Sequence, residues 1–176
     1  MWTLLINLNG RIEMSKVYIG IDNGVTGTIG VVGDDIQPQI LHTPVKKEQD
    51  FTKAKNLVSR LDCEGFMSIF NQFNKNDIHV VCERPMINPT RWKASMSAIR
   101  CWEAQLIILE VLGVPHQFID SKEWQKELLP KGIKGSDEQK KASKDIGKRL
   151  FPQLADFKHT DFDGLLIAEY ARRKNL

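Results

Sequence analysis

Residues 17–32 read VYIGIDNGVTGTIGVV. An apolar run from Val17 to Ile21 ends on a single carboxylate, Asp22, and a second apolar run begins at Thr28 after a stretch of small and turn-forming residues. Two strands, over 17–23 and 27–33, joined by a tight Gly-containing turn, are the natural reading. A buried strand that ends on an acid poses a physical question. An isolated carboxylate is costly to desolvate, so Asp22 needs a hydrogen-bond donor, a cation or a metal beside it.

Working outward, Gly33-Asp34-Asp35 suggests another turn and IQPQILHT a third strand, with Pro38 favouring a sheet edge. Residues 49–75 carry Leu57, Leu61, Phe66, Ile69, Phe70 and Phe73 at spacings of mostly three to five, which predicts a helix with a break at Gly65. IHVVCE, ending on Glu83 and stopped by Arg84-Pro85, repeats the opening pattern of a buried strand that ends on an acid. A loop over 86–92 leads to the longest helical pattern, residues 93–112, closed by Gly113. HQFID reads as a fifth strand, and Ser121 as the N-cap of SKEWQKELL. A Lys-rich segment follows, with a helix from Ser136 or Asp137 to about Phe151-Pro152, and a last helix starts near Asp161. The order βββ-α-β-α-β-α(α)-α predicts an α/β fold whose mixed five-stranded sheet joins an antiparallel meander to parallel strands, with helices flanking it.

Composition sets the bounds. The 176 residues suit one domain with a full core, and the net charge of +3 is compatible with a nucleic-acid partner. The odd set Cys63, Cys82 and Cys101 lacks any CxxC spacing, which argues against a zinc site and for buried, reduced thiols. No apolar run approaches the roughly 20 residues of a membrane helix. The opening MWTLLINLNGRIE lacks a basic n-region and a small-residue cleavage site, so no signal peptide is expected. Residues 1–13 are expected to be an extension outside the core, and 14–176 the folded domain, with Met14 a natural start.

Asp22, Glu83, Asp161 and Asp163 stand at comparable places: two at strand ends, two at the start of the last helix. In an open α/β sheet, ligands bind beyond the carboxyl ends of the strands. Carboxylates gathered there repel one another unless a cation joins them, and oxygen donors suit Mg²⁺. Taken singly, each acid is as well explained as a cap or turn residue; Asp161 fits an N-cap and Asp163 the helix dipole. One metal site explains all of them together.

The pieces IGIDNGVTGTIGVV, VVCERP, WQKELLPKGIKG with the Lys-rich helix after it, RLFP and HTDFDGLLIAEY occur in an order that resembles the RuvC-type Holliday junction resolvases of the ribonuclease H-like superfamily, above all their bacteriophage branch. The resemblance covers Val17 to Arg173. It implies a homodimeric, Mg²⁺-dependent endodeoxyribonuclease that uses two ions, with Mn²⁺ as a substitute, to nick branched DNA, in a bacterial or phage-infected cytoplasm. Asp22, Glu83 and Asp163 match the family's first-strand, fourth-strand and last-helix acids. The family's remaining ligand, Asp or His, falls here on Thr160, so the role passes to Asp161, with His159 as the second choice. An aromatic wedge expected soon after the glutamate is replaced by Met86, with Trp92 further on; Trp92 is read as a wedge, a core residue or a dimer contact. Arg91, Lys93, Lys131, Lys134, Lys140 and Lys141 are candidate phosphate contacts, although a lysine run is also what a solvated helix face looks like.

Two rival readings share the catalytic-looking pattern. One is a junction-binding scaffold of the same fold without catalysis, kept open by Thr160. The other is a related flap or fork nuclease. DNGVTGT is also similar to the phosphate loop of actin-like and sugar-kinase ATPases, but those folds need a second such domain and far more residues.

Overall fold

A computed structural model describes residues 16–50 and 52–176; the expectation for residues 1–13 lies outside the described residues. The described residues form seven strands and five α-helices. Strands β1 (Val17–Ile21), β2 (Thr28–Gly33) and β3 (Gln39–His42) form the antiparallel meander. Strands β4 (Val45–Gln49) and β5 (Leu57–Leu61) pair with each other as a separate hairpin. Helix α1 (Cys63–Phe70), strand β6 (Ile78–Glu83), helix α2 (Trp92–Leu112) and strand β7 (His116–Ile119) follow, then helices α3 (Ser121–Leu128), α4 (Ser136–Leu150) and α5 (Asp163–Lys174). The main sheet has the order β3-β2-β1-β6-β7, with β6 parallel to both β1 and β7. This is the mixed five-stranded sheet flanked by helices that the sequence predicts.

The period-two side-chain alternation of a strand divides β1 between two cores. Val17, Ile19 and Ile21 join Ile29, Val31, Val80, Phe66 and Leu109 on the side covered by α1 and α2. Tyr18 joins Val32, Val81, Trp124, Leu165 and Ala168 on the side covered by α3, α4 and α5. A central strand buried on both faces must be apolar throughout, and all five residues of β1 are buried.

Helix α5 lies against the sheet backbone to backbone. A Cβ at Gly20 would come within 2.3 Å of Ala168 N, one at Gly30 within 2.2 Å of Leu165 Cα, and one at Gly164 within 2.3 Å of Thr28 O. The absent side chains let the helix axis approach β1 and β2 more closely than any other residue type allows. Its start is thereby fixed to the sheet end where β1 finishes.

Several expectations are corrected. The helix over 49–75 is instead the β4–β5 hairpin followed by the short α1. Leu57 and Leu61 are four apart, a spacing that fits one face of a helix and one face of a strand equally, and Leu57 is 71% exposed. Gly65 does not break a helix; it sits in the first turn of α1, where a Cβ would meet Pro44 Cβ at 3.0 Å. Asp120, not Ser121, caps α3: Glu123 Oε1 accepts the Asp120 N–H at 2.8 Å in a reciprocal capping box. The last helix begins at Asp163 rather than Asp161. Cys63 is exposed, while Cys82 and Cys101 are buried as expected. Among the described residues, no helix is long and apolar enough to cross a membrane.

Candidate metal and nucleic-acid site

Parallel pairing of β1 with β6 sets Ile21 beside Cys82, so the next residues, Asp22 and Glu83, leave the sheet side by side at its carboxyl end. Thr28 then ties this strand end to the last helix. Its carbonyl accepts the Asp22 N–H at 3.0 Å, and its hydroxyl accepts the Gly164 N–H at 3.0 Å. A fully buried threonine thus connects the backbone at Asp22 to the residue next to Asp163.

Oxygens of Asp22, Asp161 and Asp163 lie within 4.8 Å of one another. Glu83 flanks them: its carboxyl neighbours that of Asp22, and its Oε1 accepts the indole N–H of Trp124 at 2.9 Å. Trp124 is fully buried in α3 and so holds Glu83 at a fixed rotamer. Arg84 supports the same corner through a 3.0 Å ion pair with Asp120, at the start of α3.

The electrostatics follow from this crowding. Burial, then repulsion from Asp163, Glu83 and Asp161, pushes the Asp22 carboxyl well above the ordinary range. Burial also raises Glu83, against the opposing pull of its Trp124 and Ser121 hydrogen bonds. Burial and the Asp161 charge lift Asp163 to about 7, with the Ser143 hydroxyl and the Lys140 ammonium acting the other way. Buried Asp163 Oδ1 has no hydrogen-bond partner among the described residues. Such an orphaned acceptor within a group of repelling carboxylates fits a hard divalent cation, whose charge and oxygen preference remove both penalties.

Asp161 is buried, and its carboxylate accepts the Thr160 hydroxyl at 3.0 Å and lies 3.7 Å from Lys140 Nζ. His159 stands outside the trio of carboxylate oxygens. One ring nitrogen lies 3.1 Å from the Thr26 carbonyl, and the other 3.3 Å from the Asp161 N–H. The ring thereby braces the Asp161 loop against the β1–β2 turn.

A cleft of 440 Å³ opens beside the acids, lined among others by Glu83, Arg84, Met86, Arg91, Lys140 and Asp163. Of the cationic residues singled out in the sequence, the fold brings Arg91 and Lys140 into this cleft. Trp92 and Lys93 lie exposed at the start of α2; Trp92 is 65% exposed, which removes its reading as a core residue. Lys131 faces a separate groove with Lys122 and Lys126, and exposed Lys134 and Lys141 do not line the acidic cleft. Sequence reasoning missed Thr28, Ser143 and Trp124. Trp124 and Ser143 act on acids remote in sequence, and Thr28 on the backbone beside them, so only the β-strand-then-acid pattern hinted that such partners must exist.

No protein-family model matches the sequence, and no curated protein sequence matches it. Solved structures do match. The fold is similar to Thermus thermophilus RuvC in complex with a Holliday junction substrate, with a TM-score of 0.58 at 15% identity, covering 90% of this chain and 96% of that one. It is equally similar to a second Thermus thermophilus RuvC structure, with a TM-score of 0.57 at 16% identity and the same coverage. At these identities the likeness establishes a ribonuclease H-like fold.

Proposed function

We propose that this ribonuclease H-like chain is a structure-specific, divalent-metal-dependent endonuclease of the RuvC type that acts on branched DNA, four-way junctions above all. The observation that carries the reading is the convergence of Asp22, Asp161 and Asp163 within 4.8 Å at the carboxyl end of the sheet, beside a cleft that also holds Arg91 and Lys140. A RuvC neighbour solved with a Holliday junction substrate supports the choice of branched DNA. The order of the sequence motifs favours the bacteriophage branch and a homodimer, with residues 14–176 as the nuclease domain.

Asp22, Asp161 and Asp163, with Glu83 at their flank, are the residues that would hold Mg²⁺ or Mn²⁺. Such ions would supply, when bound, a nucleophilic water and charge neutralisation for phosphodiester hydrolysis. The chain's own contributions follow from the geometry. Asp22 and Glu83, whose carboxyls burial raises, would be held in the ionised form by a bound cation. Trp124 holds Glu83 and stops it from rotating onto Asp22 alone. Arg91 and Lys140 meet the phosphates that flank the scissile bond, so the DNA is positioned by backbone charge rather than by base sequence. Exposed Trp92 and Met86 flank the approach and offer apolar surface to unstacked bases at a branch point.

The test is incubation of the protein with a synthetic four-way junction, a fork and a linear duplex, in Mg²⁺ and in EDTA, beside Asp22→Asn. Paired nicks in the junction that need Mg²⁺ and vanish in the variant are expected. Normal cutting by Asp22→Asn refutes the site. Junction binding without cutting by the wild type would turn the reading into a scaffold, and equal cutting of forks would widen the substrate.

A further inference from the structure

Apart from Leu61 at its base, the β4–β5 hairpin lies outside both cores. It carries Lys46, Lys47, Lys53, Lys55 and Arg60 against Glu48 and Asp50, an excess of three positive charges in 17 residues, equal to the net charge of the whole chain. All five cationic side chains are exposed. We infer that this hairpin is a DNA arm clamp: a second contact surface that grips the phosphate backbone of a duplex arm whose branch point lies at the acidic cleft. The inference rests on the proposed function and names a contact surface beyond it.

Topology puts the hairpin on the correct side of the molecule. His42, the last residue of β3, pairs with Thr28, the first of β2, so β3 finishes at the same sheet end as Asp22 and Glu83. The chain passes directly into the hairpin there. Thr43 N–H donates to Gly27 O at 3.0 Å, and Asp62 N–H to Pro44 O at 2.9 Å, which pins both legs at the base. Gly27 in turn packs on Asp22, where a Cβ would stand 2.3 Å from Asp22 O. The base is therefore one contact away from the first acid. Five paired residues per leg extend the shaft by about 17 Å, a length over which duplex DNA presents about ten phosphate charges.

The charges differ in how free they are. Lys46 pairs with Glu48 at 2.7 Å, and Arg60, directly opposite Lys46, pairs with the same carboxylate. Lys47 donates to the Ser59 hydroxyl at 2.8 Å and has no carboxylate partner among the described residues; the same holds for Lys53 and Lys55 at the turn. Three cations are thus available to phosphates outright, and two more are half-neutralised by one glutamate. A strand pair that buries only Leu61 in the core and offers uncompensated lysines has charge complementarity to DNA and little to offer an apolar partner.

The experiment is a fluorescence anisotropy titration of a labelled four-way junction in EDTA, at salt concentrations from about 50 to about 200 mM, which excludes cleavage. Each phosphate contact contributes about 0.9 to the slope of log affinity against log salt. The triple variant Lys47→Gln/Lys53→Gln/Lys55→Gln is expected to lower that slope by about 2 to 3 and to weaken binding at the lowest salt by tenfold or more. Glu48→Gln frees Lys46 and Arg60 and is expected to do the opposite, a gain that misfolding could not produce. If the wild type binds the junction and neither variant shifts the slope, the arm-clamp inference is overturned while the function stands. If the wild type does not bind branched DNA at all, the proposed function falls and the inference with it.

Discussion

Replacing Asp163 by Asn should make the metal-free protein more stable, and more so the higher the pH. Burial and the Asp161 charge raise the Asp163 carboxyl from 3.8 to about 7 in the folded chain. In the unfolded chain it titrates near its ordinary value. Between those two points the folded state binds more protons than the unfolded state, so stability is fully present below about pH 4 and is lost as pH rises toward 7. From pH 5 to pH 8 the loss from this one group integrates to about 2 to 3 kcal/mol. Asp22 and Glu83 are raised as well, and their contributions have the same sign. An isosteric neutral side chain removes the Asp163 share and relieves its repulsion on Asp22. The assay is urea denaturation in EDTA of wild type and Asp163→Asn at pH 5 and pH 8. The variant's advantage should grow by about 2 to 3 kcal/mol between the two pH values, equivalent to a difference of about 5–10 °C in Tm. Millimolar Mg²⁺ should then recover stability for the wild type at pH 8 and much less for the variant. An advantage that does not widen with pH would refute the claim that burial and the neighbouring charges raise this carboxyl.

Two further substitutions probe the frame that holds the acids. Gly164→Ala would drive a methyl group to within 2.3 Å of Thr28 O, a backbone atom with nowhere to go, and should cost at least about 3 kcal/mol, read as a fall in Tm or loss of soluble protein. Trp124→Phe keeps the buried ring but removes the N–H that Glu83 accepts. It should weaken Mg²⁺ binding by about 10–100-fold, seen in metal titration by calorimetry and as a matching shift in the Mg²⁺ dependence of cleavage, with the fold intact.

The sheet was legible because its strands announce themselves twice. Val17–Ile21 and Val80–Cys82 are apolar runs buried on both faces, and each is followed directly by an acid. That pattern marked Asp22 and Glu83 as strand-end acids, and the parallel register of β1 and β6 carries them to one end of the sheet. The hairpin was illegible for an equally physical reason. It buries almost nothing, so its Lys, Thr and Asn residues leave no periodic apolar signature, and the one spacing it does show is shared with a helix. The supports of the site were hidden for a third reason. Thr28, Ser143 and Trp124 act through hydrogen bonds across 136, 19 and 41 residues of sequence, distances at which no local pattern can speak.

Glycines and acids at this site are two parts of one arrangement. Four carboxyl groups that repel one another would separate if the elements bearing them could move. Helix α5 cannot retreat without opening the contact of Gly164 with Thr28 and of Gly20 and Gly30 with Ala168 and Leu165, which would expose the buried Leu165, Leu166, Ile167, Ala168 and Ala171. Packing of α5 therefore supplies the free energy that holds Asp163 near Asp22, and that stored repulsion becomes affinity when a divalent cation enters. The same reasoning accounts for small residues facing small residues where helix and sheet meet. A larger side chain at Gly20, Gly30 or Gly164 would push the helix outward, and the acids would relax apart before any metal could hold them.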